Sequence, residues 1–129
     1  MNRELTPQSL GPPSAAYALA TVVERQDRWL HTSGIGPVRP DGSVPAGLAD
    51  QAETVWATLL TLVTDAGLSV GDVVSVSTYV VLGQDLAVVM AARDRALAGH
   101  RCASTLVPVP ALASPEWLLE ISLVAAGTA

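Results

Sequence analysis

The sequence has little aromatic character and few charges. Only 4% of its 129 residues are aromatic, and phenylalanine is absent. A buried core must therefore consist of valine, leucine, isoleucine and alanine, which the 50% hydrophobic content supplies. Charged residues make up 15% of the chain, which is low for the surface of a monomer. We therefore expect an oligomer to hide part of the apolar surface.

Cysteine is nearly absent too. The one cysteine, Cys102, excludes an internal disulfide and a cysteine-based zinc cluster. No apolar run approaches the roughly 18 residues of a membrane helix. Residues 1–4 carry no apolar signal segment, so the expected compartment is the cytoplasm. The length fits a single domain over residues 1–129.

Positive charge is scarce. Seven basic and twelve acidic residues leave a formal net charge of -5. A nucleic-acid-binding protein needs a basic stripe that displaces counterions from phosphates, and the sequence has none. We expect neither a nucleic acid nor a membrane among its partners.

Hydrophobic periodicity predicts an α+β fold with the order ββαβαββ. Residues 1–14 are rich in proline and glycine and read as an irregular N-terminal arm. The first two strands are expected to form a hairpin, and a mixed sheet with two helices packed on one face follows from the order. The predicted strands cover 15–24, 29–33, 73–82, 104–109 and 117–125, and the predicted helices cover 48–66 and 85–97.

The third predicted strand alternates in polarity. Ser75, Ser77 and Tyr79 share one face, and the opposite face is apolar apart from one threonine. In the second predicted helix, Arg93 falls on the side expected to be solvated.

Glu120 is the most informative single residue, because it lies between apolar neighbours in the last predicted strand. Burying a lone carboxylate is costly unless the group is paired or functional. Desolvation would raise its pKa and suit it to general acid–base catalysis. The alternative is a glutamate paired with an arginine of another subunit.

Other candidate groups have plainer interpretations. Cys102 follows two basic residues, but a small, half-buried structural residue is favoured over a nucleophile. His31 and His100 lack a third ligand and read as ordinary surface or loop residues. The segment 34–36 is followed by a proline rather than a helix, so it predicts either a turn or a close backbone approach to a ligand.

Several short segments, taken in order, resemble the RidA/YjgF/UK114 (reactive-intermediate deaminase) family over about residues 11–126. They are Gly-Pro-Pro-Ser (11–14), Thr-Ser-Gly (32–34), Gln51 opening a helix, Ala-Gly (66–67), Asp-Val-Val (72–74), Ala-Ser-Thr-Leu-Val (103–107), Ala-Leu-Ala (111–113) and Leu-Glu-Ile (119–121).

This resemblance implies a chorismate-mutase-like fold and a homotrimer with a cleft at each subunit interface. Members of the family hydrolyse small imines or enamines, such as 2-aminoacrylate, without a cofactor or a metal. In them an arginine binds the substrate carboxylate and a glutamate moves protons.

Carried over by position, the resemblance makes Glu120 the catalytic glutamate and places Ser33 and Gly34 in the cleft lining. Tyr17 is either a cleft residue or a sheet residue. Ala103 occupies the position of the family arginine, and Arg101 lies two positions away, which displaces its side chain by about 6–7 Å along a strand.

Three more residues complete the predicted site. Ser104 and Thr105 alternate across their strand, so one of them should face the cleft. Trp117 either lines the cleft or anchors the start of the last strand.

These features together predict a hydrolase, an imine or enamine deaminase or a related acid–base catalyst. Loss of the arginine implies an altered specificity, as in specialised members of the family that serve biosynthetic pathways. The alternative is a non-catalytic module that binds a small molecule or a protein and retains the fold.

Overall fold

A four-stranded mixed sheet forms the centre of the computed structural model, which describes residues 1–129. The strands are β1 (Asn2–Leu5), β2 (Ala20–Val23), β3 (Arg28–His31), β4 (Val73–Val81), β5 (Ala103–Val109) and β6 (Leu119–Gly127), and the helices are α1 (Leu48–Asp65) and α2 (Leu86–Leu97). The predicted α+β class and the order ββαβαββ are confirmed over β2–β6. One additional strand, β1, precedes them.

The central sheet has the strand order β3-β6-β4-β5. Strands β4 and β5 are parallel because α2 carries the chain back between them, whereas β6 is antiparallel to both β3 and β4. Tyr79 on β4 lies opposite Glu120 on β6 and Val107 on β5. This register places these three residues in one row across the sheet.

One face of the sheet is buried against the helices. Val76, Thr78 and Val80 of β4 point to this face, as the alternation predicted. The core that they share with β6 and α1 is aliphatic apart from one tryptophan. Its largest members are Val55, Trp56, Leu59, Val63, Leu119 and Ile121.

The opposite face of the sheet carries no helix, and we call it the open face. It presents Ser75, Ser77, Tyr79, Thr105, Val107, Glu120 and Ser122. Toward the β3 edge it also carries Trp29 and His31, whose rings stack with their centroids 6.2 Å apart. Trp29 is 50% exposed and Tyr79 is 39% exposed, so large aromatic surface remains uncovered in one chain.

The end of α1 and the start of α2 lie close to the residues that the sequence indicated. Gly67 follows α1 with φ of +76°, and the Leu68 N–H donates to Val63 O at 3.0 Å, which closes the helix end. The Asp85 side chain accepts a hydrogen bond from the Ala87 N–H at 3.0 Å and caps the start of α2.

The N-terminal segment differs from its prediction as an irregular arm. Asn2–Leu5 forms β1, which pairs with β2, so the hairpin predicted between β2 and β3 is wrong. This strand is stabilised by its backbone hydrogen bonds to β2. Its side chains are largely exposed and do not alternate between polar and apolar, so the sequence pattern does not predict a strand here. The side chain of Asn2 donates to Ala126 O at 2.8 Å and ties β1 to the end of β6.

The burial of Arg93 also differs from its prediction. The sequence placed it in solvent, but it is 6% exposed beneath β5. Its Nε donates to Asp94 at 3.0 Å and its Nη1 to Ser104 Oγ at 3.3 Å, while Nη2 is buried without a partner. Because α2 has only weak amphipathic character, its buried face could not be assigned from sequence spacing alone.

Neither α1 nor α2 has the combination of length and apolar character that crossing a bilayer requires.

Truncation of Leu59 tests the location of the core. Leu59→Ala should lower the free energy of unfolding by about 2–5 kcal/mol, because a cavity forms where no solvent enters. Leu10→Ala, at a site that is 69% exposed, is the matched control and should change it by less than about 0.5 kcal/mol. Urea unfolding followed by circular dichroism measures both. Equal effects would contradict the assigned core.

Candidate functional site

Glu120 lies on the open face near the start of β6. It is half-buried, and its apolar neighbours Leu119 and Ile121 point the other way into the core. None of the four ion pairs in the chain involves it. The carboxylate therefore has no cationic partner within its own chain and remains available to a ligand or to a second subunit.

The segment after β3 lies against the side chain of Glu120. It continues alongside β6, since the Thr32 N–H donates to Leu123 O at 3.0 Å and the Ile35 N–H to Ile121 O at 2.8 Å. A Cβ atom on Gly34 would overlap with Oε2 of Glu120. Gly34 thus lies directly against the carboxylate, which brings these two predicted site residues together.

Gly36 likewise leaves room for the side chain of Trp117. A Cβ atom there would lie 2.6 Å from the indole ring. Glycine is required at both positions because a Cβ atom would clash with a neighbouring side chain. Backbone conformation is not the reason, because neither residue has a positive φ. The Gly34–Gly36 backbone therefore admits two side chains of the same chain. Ser33, which precedes Gly34, is exposed at this position.

Gln51 is a residue whose role the sequence did not reveal. Its side chain is buried at the first turn of α1, where Nε2 donates to Pro45 O at 2.8 Å and to Glu116 O at 2.9 Å. Its Oε1 accepts from the Leu118 N–H at 2.8 Å. One amide therefore fixes the backbone on both sides of Trp117 and sets where β6 begins. A buried glutamine in an otherwise apolar helix face was the available signal.

The alternation of β5 separates Ser104 from Thr105. Ser104 faces the helices and binds Arg93, so it lies on the opposite side of the sheet from Glu120. Thr105 lies on the open face in one row with Ser77 and Ser122. These three hydroxyls form a polar band beside Glu120, whereas the sequence left open whether Ser104 or Thr105 faces this side.

Tyr17 and Ala103 lie at a different place on the sheet. Ala103 pairs with Ser75, four residues from the Tyr79 row that contains Glu120. At about 3.3 Å per residue the two rows are about 13 Å apart. We call Glu120, Ser33, Gly34 and Trp117 the Glu120 end, and Tyr17 and Ala103 the Ala103 end. One chain does not join them.

Arg101 is occupied at the Ala103 end. Its Nη2 donates to Tyr17 O at 2.8 Å and lies 3.0 Å from a Glu4 carboxylate oxygen. The guanidinium is thus tied to β1 and to the segment before β2.

The other titratable candidates do not form a site. Cys102 is 2% exposed, and burial raises the pKa of its thiol to about 11, against a smaller opposing effect of the Arg93 charge. A thiol with this pKa is a poor nucleophile near neutral pH. His100 binds Val73 O at 2.8 Å. No group of three or more His, Cys, Asp or Glu side chains is placed to hold a metal ion.

Comparison with known proteins agrees with this architecture. A family profile described as Endoribonuclease L-PSP matches residues 9–127. The chain therefore belongs to this family, which is also called the YjgF/RidA/UK114 family. No curated protein matched significantly.

Solved structures match over nearly the full chain. YyfB of Yersinia pestis, a Rid-family protein of unknown function, is 30% identical with a TM-score of 0.87, over 97% of this chain and 98% of that one. YjgF of E. coli is 31% identical with a TM-score of 0.71, over 93% and 91%. TdcF of E. coli, crystallised with bound serine, is 25% identical with a TM-score of 0.72, over 96% and 98%.

Substitution of the two glycines tests the geometry of the Glu120 end. Gly34→Ala should leave the free energy of unfolding within about 1 kcal/mol, because the clashing atom ends a flexible side chain. A crystal structure of this variant should show a displaced Glu120 carboxylate. Gly36→Ala should cost about 1–3 kcal/mol, because the Trp117 ring cannot yield without moving the loop. Urea unfolding compares the two, and an unmoved Glu120 in Gly34→Ala would contradict the contact.

Proposed function

We propose that this chain is a homotrimeric, cofactor-free enzyme that hydrolyses a small imine or enamine, with Glu120 as its acid–base group. The observation that carries the proposal is the unpaired Glu120 carboxylate, which lies on an uncovered sheet face and against the backbone of Gly34. A carboxylate kept partly out of water without a partner in its own chain is a candidate proton donor and acceptor.

Membership in the YjgF/RidA family supports the choice of substrate class. TdcF, a relative of the same fold, binds the small amino acid serine. An imine is a compact, neutral or weakly basic C=N compound of comparable size. The net charge of -5 argues against RNA as the substrate, despite the nuclease name attached to the family profile.

The chemistry needs one proton-transferring group and one water molecule. Glu120 as its carboxylate takes a proton from water while the oxygen attacks the imine carbon, and the nitrogen takes a proton from solvent to give a neutral carbinolamine. The protonated Glu120 then gives its proton to the amino nitrogen. The carboxylate takes the hydroxyl proton as the C–N bond breaks, ammonia leaves, a carbonyl compound remains, and Glu120 returns its proton to solvent. An enamine enters the same sequence after protonation at carbon.

The separation of the two ends supports assembly. The Glu120 end and the Ala103 end are about 13 Å apart in one chain. A second copy packed on the open face would bring one subunit's Glu120 end near the Ala103 end of its neighbour. The exposed Trp29, Tyr79 and Val107 provide apolar area for that contact.

The substrate should differ from an ordinary imino acid. Ala103 offers no positive charge, and Arg101 is engaged by Glu4 and Tyr17. A bidentate arginine–carboxylate contact is therefore missing from the proposed cleft. We infer a neutral or bulkier imine as the substrate, as in a specialised biosynthetic step. The hydroxyl band of Thr105, Ser77 and Ser122 would hold its polar end.

An imine-hydrolysis assay tests the mechanism. Imino acids are released in situ from amino acids by an amino-acid oxidase, neutral imines from amines by an amine oxidase, and 2-aminoacrylate from serine by a dehydratase that eliminates water. Loss of each intermediate is followed with semicarbazide trapping. We expect low turnover with 2-aminoacrylate and other imino acids, and higher turnover with neutral imines. Glu120→Gln should lower turnover by about 100-fold or more, because a general acid–base residue is removed.

Two controls accompany this assay. Ala103→Arg should raise the turnover of imino acids by restoring a carboxylate ligand. Glu116→Gln removes a nearby exposed carboxylate and should leave turnover unchanged. Robust turnover of 2-aminoacrylate by the natural chain would contradict the specificity. Unchanged turnover in Glu120→Gln would contradict the mechanism, and ligand binding without turnover would favour the non-catalytic binding module.

Light scattering at micromolar concentration tests the assembly. We expect the mass of three chains, each of 13.3 kDa. Trp29→Glu should reduce this mass, because it places a charge in the buried contact. Leu10→Glu, at an exposed site away from the sheet, should not. A natural chain that remains a monomer would contradict the inter-subunit cleft.

A further inference from the structure

A second candidate binding site lies beside α1. A groove of about 450 Å³ runs between the outer surface of α1 and residues 38–40 of the loop that follows β3. This volume is within the range of about 300–1,000 Å³ that is typical of small-molecule sites. None of its lining residues belongs to the Glu120 end, so the groove does not depend on the proposed enzymatic function.

The α1 wall of the groove is more apolar than its composition indicates. The hydroxyls of Thr54, Thr58 and Thr61 each donate to the carbonyl four residues earlier, at 2.8, 3.3 and 2.9 Å. Their hydrogen-bond donors are therefore satisfied by the helix itself. Together with Ala57 and Leu62, these residues give a helix wall with no free donor.

The loop wall carries the only charge in the groove. Arg39 lines it between Val38 and Pro40, and its Nη1 donates to Ser43 Oγ at 3.3 Å. Arg39 forms none of the four ion pairs of the chain. Its remaining guanidinium N–H groups are therefore free to bind an anionic oxygen.

The loop is held in place without a ligand. The Gly42 N–H donates to Arg39 O at 2.8 Å, and the Arg39 N–H donates to Ser43 O at 2.9 Å. The nearby Asp41 carboxylate accepts from Ser43 N–H and Oγ–H, and these hydrogen bonds hold its pKa below the usual range. The Arg39 charge makes a smaller contribution to this lowering, so Asp41 lies near Arg39, although the two side chains form no ion pair. A groove formed in advance costs little ordering energy on binding.

From these contacts we propose that the groove binds a small carboxylic acid with an apolar body, the carboxylate on Arg39 and the body against α1. An apolar wall without free donors suits a hydrocarbon body, and one exposed guanidinium suits one carboxylate. The site would give the protein a carboxylate-binding position distinct from the Glu120 end.

Phenylacetate and its uncharged counterpart phenylacetamide are the probes. Each is titrated into isotope-labelled full-length protein and followed by two-dimensional NMR. We expect phenylacetate to shift the signals of Val38, Ala57, Thr58 and Thr61. The amide should bind about fivefold more weakly, which corresponds to one exposed charge contact.

Arg39→Gln should weaken phenylacetate binding about fivefold and remove the preference over the amide. Arg25→Gln makes the same change of charge at an exposed turn and is the control. Thr58→Leu fills the groove and should abolish binding of both probes. The proposal is overturned if shifts appear only on the open face, if acid and amide bind equally, or if the two arginine variants behave alike.

Discussion

The position of β6 is the constraint on which the rest of the molecule depends. This strand pairs with β3 on one side and β4 on the other, so its register is fixed by two ladders of hydrogen bonds. Leu119, Ile121 and Leu123 fill the core from its helix side. Because strand side chains alternate, Glu120 and Ser122 must point to the open face. A slip of one residue would bury the carboxylate and expose the core.

Two small devices set the local geometry around that strand. Gln51 holds the backbone on both sides of Trp117, so the start of β6 is tied to the start of α1. Gly34 and Gly36 leave room for Glu120 and Trp117 on the neighbouring segment. The core thus supplies stability, while the Gln51 side chain and the two glycines determine where the Glu120 carboxylate and the Trp117 ring lie.

The open face connects the fold to the proposed function. A single chain divides the predicted site residues between two ends of the sheet, and it leaves aromatic area exposed between them. Association of copies through this face would cover the apolar area and complete a cleft in the same event. The groove behind α1 needs no such partner, because its walls belong to one chain.

Much of this architecture was determined by the sequence itself. Local periodicity was sufficient for the extents of α1 and α2 and for the two faces of β4, since a side-chain period is a property of one segment. The placement of Glu120 beside Gly34 was reached through family resemblance. Only the tertiary structure paired β1 with β2, turned Ser104 toward Arg93, and separated Ala103 from Glu120. Strand pairing and register depend on contacts between distant segments, which no single segment encodes.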